Sequence, residues 1–197
     1  MVQIRFPKPW LISALRQKTD YQRWTNPRNI HTGWESRTER AASFVPANSR
    51  VIEFGAATRI LERFLDPSCT YTPSDIVERG PGTLVIDLNE RPLPDIEGYD
   101  AAVIMGVLEY IVDVPAVVDW LRERFPLVVV SYAIADPKKR SPLGKLGFLG
   151  RAARSGWMNN FREAEFRSFF TDRGYTSLQE EDWNEQRMFV FSQKPAG

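Results

Sequence analysis

Four carboxylates and a glycine follow short apolar runs at regular intervals in the middle of the chain. Glu53 and Gly55 close the first run, Asp75 and Asp87 close the next two, and Glu109 follows a fourth. The carboxyl ends of parallel strands meet at one edge of a sheet, where open α/β sheets bind their ligands. Carboxylates placed there can accept hydrogen bonds from ribose hydroxyls or lie beside a positively charged group. The spacing therefore predicts a ligand site made of acids at the strand ends.

The apolar runs alternate with helical patterns between residues 50 and 135, which is typical of βαβ units and a parallel sheet. Five strands are predicted, at Arg50–Phe54, Thr70–Pro73, Thr83–Ile86, Ala101–Met105 and Leu127–Tyr132. Two helices are predicted between them: Pro115–Arg124, and a short one carrying the apolar stripe of Ile60, Leu61, Phe64 and Leu65. Both helices should pack on the sheet.

The flanking segments complete the predicted α/β fold. Helices are expected at Trp10–Lys18, Gly33–Phe44 and Arg162–Arg173, and an antiparallel hairpin at Thr176–Asp182 and Arg187–Gln193. The whole is a seven-stranded, mostly parallel sheet with helices on both faces and the hairpin at its edge. Residues 1–47 form a helical cap, residues 48–197 form the ligand-binding domain, and the basic residues 136–160 form a mobile lid.

The glycine turn after the first strand indicates which of two kinds of cofactor the site would bind. A dinucleotide site uses the pattern G-x-G-x-x-G, because the backbone must approach a pyrophosphate closely. Only Gly55 of those three glycines is present. Glu53 would repel a pyrophosphate, whereas it suits a ligand with an ammonium or sulfonium charge. The pattern therefore disfavours NAD.

These residues resemble the class I S-adenosylmethionine-dependent methyltransferases over most of residues 48–193. The glycine motif of that family is matched by residues 53–57, its ribose-binding acid by Asp75, its adenine-contacting acid by Asp87, and its fourth motif by residues 99–110. The resemblance implies a Rossmann-like fold, S-adenosylmethionine as cofactor and methyl transfer as activity. It also implies cofactor-binding roles for Glu53, Gly55, Ala56, Asp75, Ile76, Asp87, Leu88, Met105 and Gly106.

Three residues depart from the family pattern. Ala57 and Arg59 stand where the family has glycines, and Tyr110 stands where many members have a histidine. An alternative function is therefore a non-catalytic binding or regulatory protein on a methyltransferase-like scaffold. The two acids also have structural readings, because Asp75 can cap its own turn and Asp87 can form an Asx turn with the residues that follow.

Candidate catalytic residues depend on the acceptor. A hydroxyl acceptor benefits from a base, and the candidates are His31, Glu109 and Tyr132. Residues 157–161 either return over the acceptor pocket or close the start of the next helix. No metal site is predicted.

The cysteine content and the apolar runs of the sequence indicate the cellular compartment. A single cysteine, Cys69, cannot form an internal disulfide, and this favours a cytoplasmic protein. No secretory signal is expected, and no apolar run reaches the ~18 residues of a membrane span.

Charge is uneven along the chain. Residues 1–50 and 137–167 each carry six excess basic charges, and residues 51–136 carry nine excess acidic ones. Either these segments neutralise one another, or both basic segments overhang one cleft and attract an anion. The second reading predicts a small, polar, anionic acceptor, such as a sugar, a nucleotide-sugar or a carboxylate intermediate. Nucleic acid is disfavoured, because the basic residues form no long stripe.

Overall fold

A computed structural model of the chain describes residues 18–30, 32–135 and 155–193. Its centre is a seven-stranded sheet with the strand order β3-β2-β1-β4-β5-β7-β6. The first five strands run parallel, and β7 pairs antiparallel with both β5 and β6. The strands are β1 Arg50–Phe54, β2 Thr70–Asp75, β3 Leu84–Val85, β4 Ala101–Met105, β5 Leu127–Tyr132, β6 Thr176–Trp183 and β7 Gln186–Ser192.

Helices flank the sheet on both faces. The α-helices are α1 Tyr21–Thr25, α2 Glu35–Ala42, α3 Val114–Arg124 and α4 Glu163–Thr171. Short 3-10 turns lie at Pro27–Asn29, Thr32–Trp34, Ile60–Arg63 and Leu108–Tyr110. The predicted fold class is confirmed, and so are all five predicted central strands, to within two residues at each end. The predicted helix Trp10–Lys18 lies almost entirely outside the described residues.

Two hydrophobic clusters, one on each face, hold the sheet. Alternate residues of β1 and β4 point to opposite faces: Ile52 and Ala102 join one cluster, and Val51 and Val103 join the other. The first cluster is covered by α3 and α4, and the second by α2 and the turn at Ile60–Arg63. Because both faces are covered, the central strand β4 is apolar and buried along its whole length, as is usual in parallel sheets.

The predicted helix between β1 and β2 is wrong in type. The segment forms only the 3-10 turn Ile60–Arg63, although Leu61 and Leu65 are buried as the apolar stripe predicts. Arg59 stands at a left-handed φ of +58° directly before the turn, and Pro67 follows soon after it. The chain segment between Arg59 and Pro67 is too short for an α-helix of ordinary length.

The edge hairpin and α4 form an aromatic layer. Phe170 of α4 stacks on Phe191 of β7 with 4.1 Å between ring centroids, and Phe166 stacks on Tyr132 of β5 at 4.3 Å. Gly174, at a φ of +83°, ends the chain turn after α4, as predicted. This layer fixes β7 next to β5 and thereby places the start of β7 at the ligand edge of the parallel strands.

Within the described ranges, no helix is both long and apolar enough to cross a membrane.

Candidate active site

A cavity of about 630 Å³ opens at the carboxyl ends of the parallel strands. This volume lies within the range of about 300–1,000 Å³ that is usual for small-molecule sites. All nine residues predicted to bind the cofactor line it: Glu53, Gly55, Ala56, Asp75, Ile76, Asp87, Leu88, Met105 and Gly106. The fold therefore brings together residues that are up to 53 positions apart in the chain.

The turn after β1 has left-handed backbone angles at three positions, and only one of these residues, Gly55, is a glycine. Gly55 has a φ of +76°, and a Cβ atom there would lie 2.5 Å from Cγ2 of Val107. Ala57 and Arg59, the two departures from the family pattern, also take positive φ values of +45° and +58°. The amides of Gly55 and Ala56 both donate to the carbonyl of Ser74, at 2.8 and 2.9 Å. The turn is thus fastened to the end of β2.

Asp75 is buried, and its carboxylate is held from several sides. Oδ2 accepts from the amide of Ala57 at 2.9 Å and from Nε of Arg79 at 3.0 Å, while Oδ1 accepts from the amide of Ile76 at 2.8 Å. Arg79 also donates to the carbonyl of Trp24 at 2.7 Å, which ties the N-terminal segment to this position.

Asp87 is covered by the N-terminal segment. Its carboxylate accepts from the hydroxyls of Thr19 and Tyr21, both at 2.8 Å, and from the amide of Asn89 at 2.9 Å. The last bond is the Asx turn that an aspartate in this position can form. Burial and the neighbouring Asp87 raise the pKa of Tyr21 to about 12, so its hydroxyl stays a donor.

Glu53 is buried at the end of β1 and faces the cavity. The hydroxyl of Tyr71 donates to its Oε2 at 2.5 Å. Burial raises the pKa of Glu53 to about 8, although Tyr71 and the charge of Arg37 act in the opposite direction. The carboxyl therefore binds a proton near neutral pH unless a positive charge arrives beside it.

Glu109 is a buried acid with only one of its two carboxylate oxygens hydrogen-bonded to the described residues. Its Oε1 accepts from the amide of Ala133 at 2.9 Å and from Nε2 of Gln186 at 3.0 Å. Its Oε2 is buried and has no hydrogen-bond partner among the described residues. Burial raises the pKa of Glu109 to about 7, so the group exchanges a proton near neutrality. A carboxyl in a cavity wall with these properties can act as a general base.

The sequence profile of the methyltransferase domain family matches residues 24–180 of the chain. The chain belongs to this family. The match confirms the predicted class I S-adenosylmethionine-dependent methyltransferase, both as an enzyme class and in its cofactor. A search of curated proteins finds no significant match.

Solved methyltransferase structures share the fold at low sequence identity. An O-methyltransferase family 2 protein from Planctomyces limnophilus, in complex with apigenin, superposes with a TM-score of 0.62 at 12% identity, covering 93% of this chain and 66% of its own. Human N-acetylserotonin methyltransferase, in complex with S-adenosylmethionine, gives 0.61 at 16%, covering 95% and 60%. An S-adenosylmethionine-dependent methyltransferase from Thermotoga maritima gives 0.59 at 15%, covering 94% and 99%. The chain thus spans the whole Thermotoga fold but about two thirds of the larger enzymes.

The structure does not bring Tyr132 to the cavity of this methyltransferase. Its hydroxyl is buried, donates to Oδ1 of Asn159 and accepts from the amide of Phe161 at 2.9 Å. Asn159 in turn donates to the carbonyls of Leu108 and Ile111, both at 2.7 Å. Tyr132 therefore anchors the segment before α4, and the predicted catalytic role has no geometric support. His31 lies outside the described residues.

Residues 155–160, the described part of the predicted lid, lie against the site of the methyltransferase. The amide of Met158 donates to the carbonyl of Glu109 at 2.7 Å, and Trp157 lines the cavity and hydrogen-bonds the hydroxyl of Tyr110. Trp24 meets Tyr110 edge to face, with 4.9 Å between centroids. These three rings form an aromatic part of the cavity wall. The sequence leaves two interpretations open for residues 157–161. The position of Trp157 in the cavity wall agrees with the one in which this segment returns over the pocket.

Sequence reasoning missed Arg37 and Gln186, which also line the cavity. Nη1 of Arg37 donates to Oε1 of Gln186 at 2.5 Å, and the hydroxyl of Ser131 donates to the same oxygen at 3.1 Å. A signal for Arg37 does exist, because it lies in the buried stripe of α2 with Thr38, Ala41 and Ala42. A charged residue in an apolar stripe indicates a function or a buried partner. Gln186 has no comparable signal, since its position follows from strand pairing.

Proposed function

We propose that this chain transfers the methyl group of S-adenosylmethionine to a hydroxyl of a small, polar, anionic acceptor, such as a sugar, a nucleotide-sugar or a carboxylate intermediate. The observation that carries the proposal concerns Glu109, which lines the cavity together with the predicted cofactor residues: its Oε2 has no hydrogen-bond partner in the part of the chain that the structure describes. The volume of the cavity, about 630 Å³, also lies in the range that is usual for small-molecule sites.

Residues at three strand ends would each contact a different part of the cofactor. Asp75 would receive the ribose hydroxyls, Asp87 would receive the adenine amino group, and the turn at Gly55 would lie under the amino-acid end. Asp87 already binds two hydroxyl donors of the N-terminal segment, so Thr19 and Tyr21 would share the carboxylate with adenine or give way to it. Glu53 would stabilise the positive charge of the bound cofactor.

The bound cofactor supplies an electrophilic methyl group on a sulfonium sulfur. The protein must hold the acceptor in line with that group, keep water away and remove the hydroxyl proton. Oε2 of Glu109 is the oxygen that accepts the proton, because Oε1 is already engaged by Ala133 and Gln186. Trp24 and Trp157 would exclude water from the acceptor side.

The N-terminal segment and the basic lid are proposed to select the acceptor. Described residues of the segment contribute Arg23 and Arg37 to the cavity wall, which supports attraction of an anion. Lys138, Lys139, Arg140 and Lys145 of the predicted lid lie outside the described residues. The proposed acceptor is a small molecule rather than a nucleic acid, because the basic residues of the sequence form no long stripe along which a nucleic acid would bind.

The test combines binding and turnover. Calorimetry with S-adenosylhomocysteine measures cofactor binding, and a panel of hydroxy acids, sugars and nucleotide-sugars with methyl-labelled S-adenosylmethionine measures transfer. We expect saturable binding and label on an anionic member of the panel, at a rate that falls as salt is raised. Binding without transfer to any acceptor class would favour the non-catalytic scaffold, and the absence of binding would contradict the proposal.

A further inference from the structure

Gln186, the first residue of β7, brings its side-chain amide to the wall of the cavity. Its Oε1 accepts from Nη1 of Arg37 at 2.5 Å and from the buried hydroxyl of Ser131 at 3.1 Å. Its Nε2 donates to Oε1 of Glu109 at 3.0 Å. One side chain of the edge hairpin therefore contacts α2, the end of β5 and the turn that follows β4.

These partners allow only one orientation of the Gln186 amide. A guanidinium has no acceptor, so the atom that Arg37 meets must be the amide oxygen and not the nitrogen. The amide nitrogen then necessarily points to Glu109. A Cβ atom on Gly106 would lie 3.0 Å from Nε2 of Gln186 and 2.8 Å from Nη1 of Arg37, so both side chains pack directly on the glycine backbone. Hydrogen bonds and packing thus hold the amide in the same orientation.

The orientation of Gln186 decides which oxygen of Glu109 can carry a proton. Oε1 of Glu109 accepts from Nε2 of Gln186 and from the amide of Ala133, at 3.0 and 2.9 Å. Both of these groups are donors, and neither can accept a proton from Oε1. A proton on this buried carboxyl therefore belongs on Oε2, the oxygen that has no hydrogen-bond partner among the described residues.

Gln186 itself does not titrate, so its influence on Glu109 comes from the hydrogen bond. Among the described residues, the ionisable groups whose charges act on Glu109 or on its neighbouring arginine are Arg37 of α2, Glu53 of β1, Tyr110 of the same turn and Tyr132 of β5. The guanidinium stays charged, and burial raises the pKa of both tyrosines, so their hydroxyls keep their protons near neutral pH. Burial raises the pKa of Glu109 to about 7, and the bond from Gln186 acts in the opposite direction because it stabilises the ionised carboxylate.

We propose that Gln186 is a positioning residue for the base, because its amide occupies Oε1 of Glu109 and leaves Oε2 to take the proton. The inference rests on the proposed function, which gives Glu109 the role of base. The proton of the acceptor hydroxyl goes to Oε2 and neutralises the carboxylate. The electron pair of the broken O–H bond stays on the acceptor oxygen, which uses it to form the bond to the methyl group.

Gln186→Glu is the substitution that isolates this role. It keeps the length of the side chain and an acceptor for Arg37 and Ser131, but it places an oxygen where the amide donates to Glu109. The introduced carboxyl stays ionised beside the guanidinium, and its like charge raises the pH at which Glu109 titrates. The proton of Glu109 then moves from Oε2 to Oε1, where it bonds the introduced carboxyl. Gln179→Glu is the matched control, because Gln179 is exposed on the neighbouring strand β6.

NMR of protein with ¹³C-labelled glutamate side chains measures the titration of Glu109 without any ligand. Glu109→Gln and Glu53→Gln identify the signals of the two buried carboxyls. The wild-type midpoint should lie near pH 7. Gln186→Glu should raise it by at least about one pH unit, and Gln179→Glu should leave it within about 0.3.

The side-chain amide of Gln186 gives a second NMR readout that needs no substitution at this position. Its ¹H and ¹⁵N signals in the wild-type chain should move with the same midpoint as Glu109, because the amide donates to the carboxyl that titrates. They should stop moving in Glu109→Gln. Amide signals that ignore the titration would overturn the proposal even if Gln186→Glu failed to fold.

Thermal unfolding establishes which variants are folded, and turnover then tests the role in catalysis. With an acceptor that takes the label, the rise of kcat/KM with pH should move upward in Gln186→Glu by as much as the midpoint does. A folded Gln186→Glu with an unchanged midpoint, an equal shift in Gln179→Glu, or a kcat/KM profile that stays in place would overturn the proposal. A wild-type chain that binds no S-adenosylhomocysteine contradicts the proposed function instead, and the NMR midpoints show separately whether Gln186 controls the proton of Glu109.

Discussion

The guanidinium of Arg79 lies against the carboxylate of Asp75, with 3.0 Å between Nε and Oδ2. Both side chains are largely buried, and Arg79 reaches on to the carbonyl of Trp24. The pair therefore connects the end of β2 to the N-terminal segment through a single arginine. A ligand that binds Asp75 must share the carboxylate with Arg79, so the pair orients Asp75 before a ligand arrives.

Replacing Asp75 tests its assignment to the ribose. Asp75→Asn keeps the shape but removes one acceptor oxygen, and Asp75→Ala removes both. Hydrogen bonds to a charged group contribute roughly 1.5–3 kcal/mol each, so Asp75→Ala should weaken S-adenosylhomocysteine binding at least tenfold, and Asp75→Asn less. Calorimetry measures both. Asp95→Asn is the control, because that acid is exposed and lies outside the cavity wall. Unchanged affinity in a folded Asp75→Ala protein would remove Asp75 from the site.

The contact between Gly55 and Val107 predicts a rescue by double mutation. Gly55→Ala would place Cβ 2.5 Å from Cγ2 of Val107 at a φ of +76°, so it adds a clash to backbone strain. Together these should cost about 2–4 kcal/mol of unfolding free energy. Adding Val107→Ala removes the clash but not the strain, so the double variant should recover part of the loss. Urea unfolding of the four proteins measures the coupling. Simple additivity would contradict the contact.

Much of the fold follows from the sequence because the relevant signals are local. Apolar runs such as Ala101–Met105 are long enough, and bounded clearly enough, to define a buried strand. The prediction of a helix after β1 is wrong because the stripe of apolar residues indicates which side chains are buried, but not how long the helical segment is. The backbone of Ala57 and Arg59 was not predictable from residue type, since left-handed φ values are unfavourable for residues with a Cβ atom.

Ala57→Gly tests that backbone strain directly. A left-handed conformation costs a residue with a Cβ atom roughly 1–2 kcal/mol, and glycine removes that cost at the expense of greater freedom in the unfolded chain. We expect Ala57→Gly to raise the free energy of unfolding by about 0.5–1 kcal/mol in urea titrations. Ala56→Gly is the control, because Ala56 is the adjacent turn residue without a positive φ and should lose stability instead. Destabilisation by both changes would show that Ala57 is not strained.

Site residues can be predicted from the sequence where a single acid stands at the end of a strand. They are harder to predict where two residues meet only because distant parts of the chain come together. Asp75 and Asp87 follow from strand position alone. Arg37 meets Gln186, which is 149 residues away, only because β7 inserts between β5 and β6. Likewise, the hydroxyl of Tyr132 stands at a strand end but turns into the aromatic layer under α4, because Phe166 stacks on its ring. Side-chain direction at a strand end is decided by packing on either face.

The two buried acids should make stability depend on pH. Glu53 has a folded pKa of about 8 and Glu109 of about 7, both above the ordinary value of 4.5. Between pH 4.5 and 8 the unfolded chain has released these protons while the folded chain still holds them. Stability should therefore be highest near pH 4.5 and fall as pH rises to 8, by on the order of a few kcal/mol.

Urea unfolding at pH 5, 6.5 and 8 checks this direction without any ligand. Glu53→Gln should flatten the decline up to pH 8, and Glu109→Gln should flatten it mainly below pH 7. Glu39→Gln is the matched control, because Glu39 is exposed on α2. A wild-type protein whose stability rises across this range, or a slope that neither variant alters, would mean that both acids are ionised in the folded state.

Glu109→Gln gives the most direct test of the proposed base. Glutamine preserves the acceptor for Ala133 and the place beside Gln186, but it cannot take a proton at the position of Oε2, which has no hydrogen-bond partner among the described residues. General bases contribute typically 10²–10⁴-fold, so kcat should fall by that factor, while affinity for S-adenosylhomocysteine should stay within threefold. Because the base must be ionised, kcat/KM of the wild-type enzyme should rise about tenfold per pH unit below 7 and level off above it. The variant should lose this rise, and Glu39→Gln should keep it. A Glu109→Gln enzyme with the wild-type rate and pH profile would show that the acceptor loses its proton to another group, or that it carries none to lose.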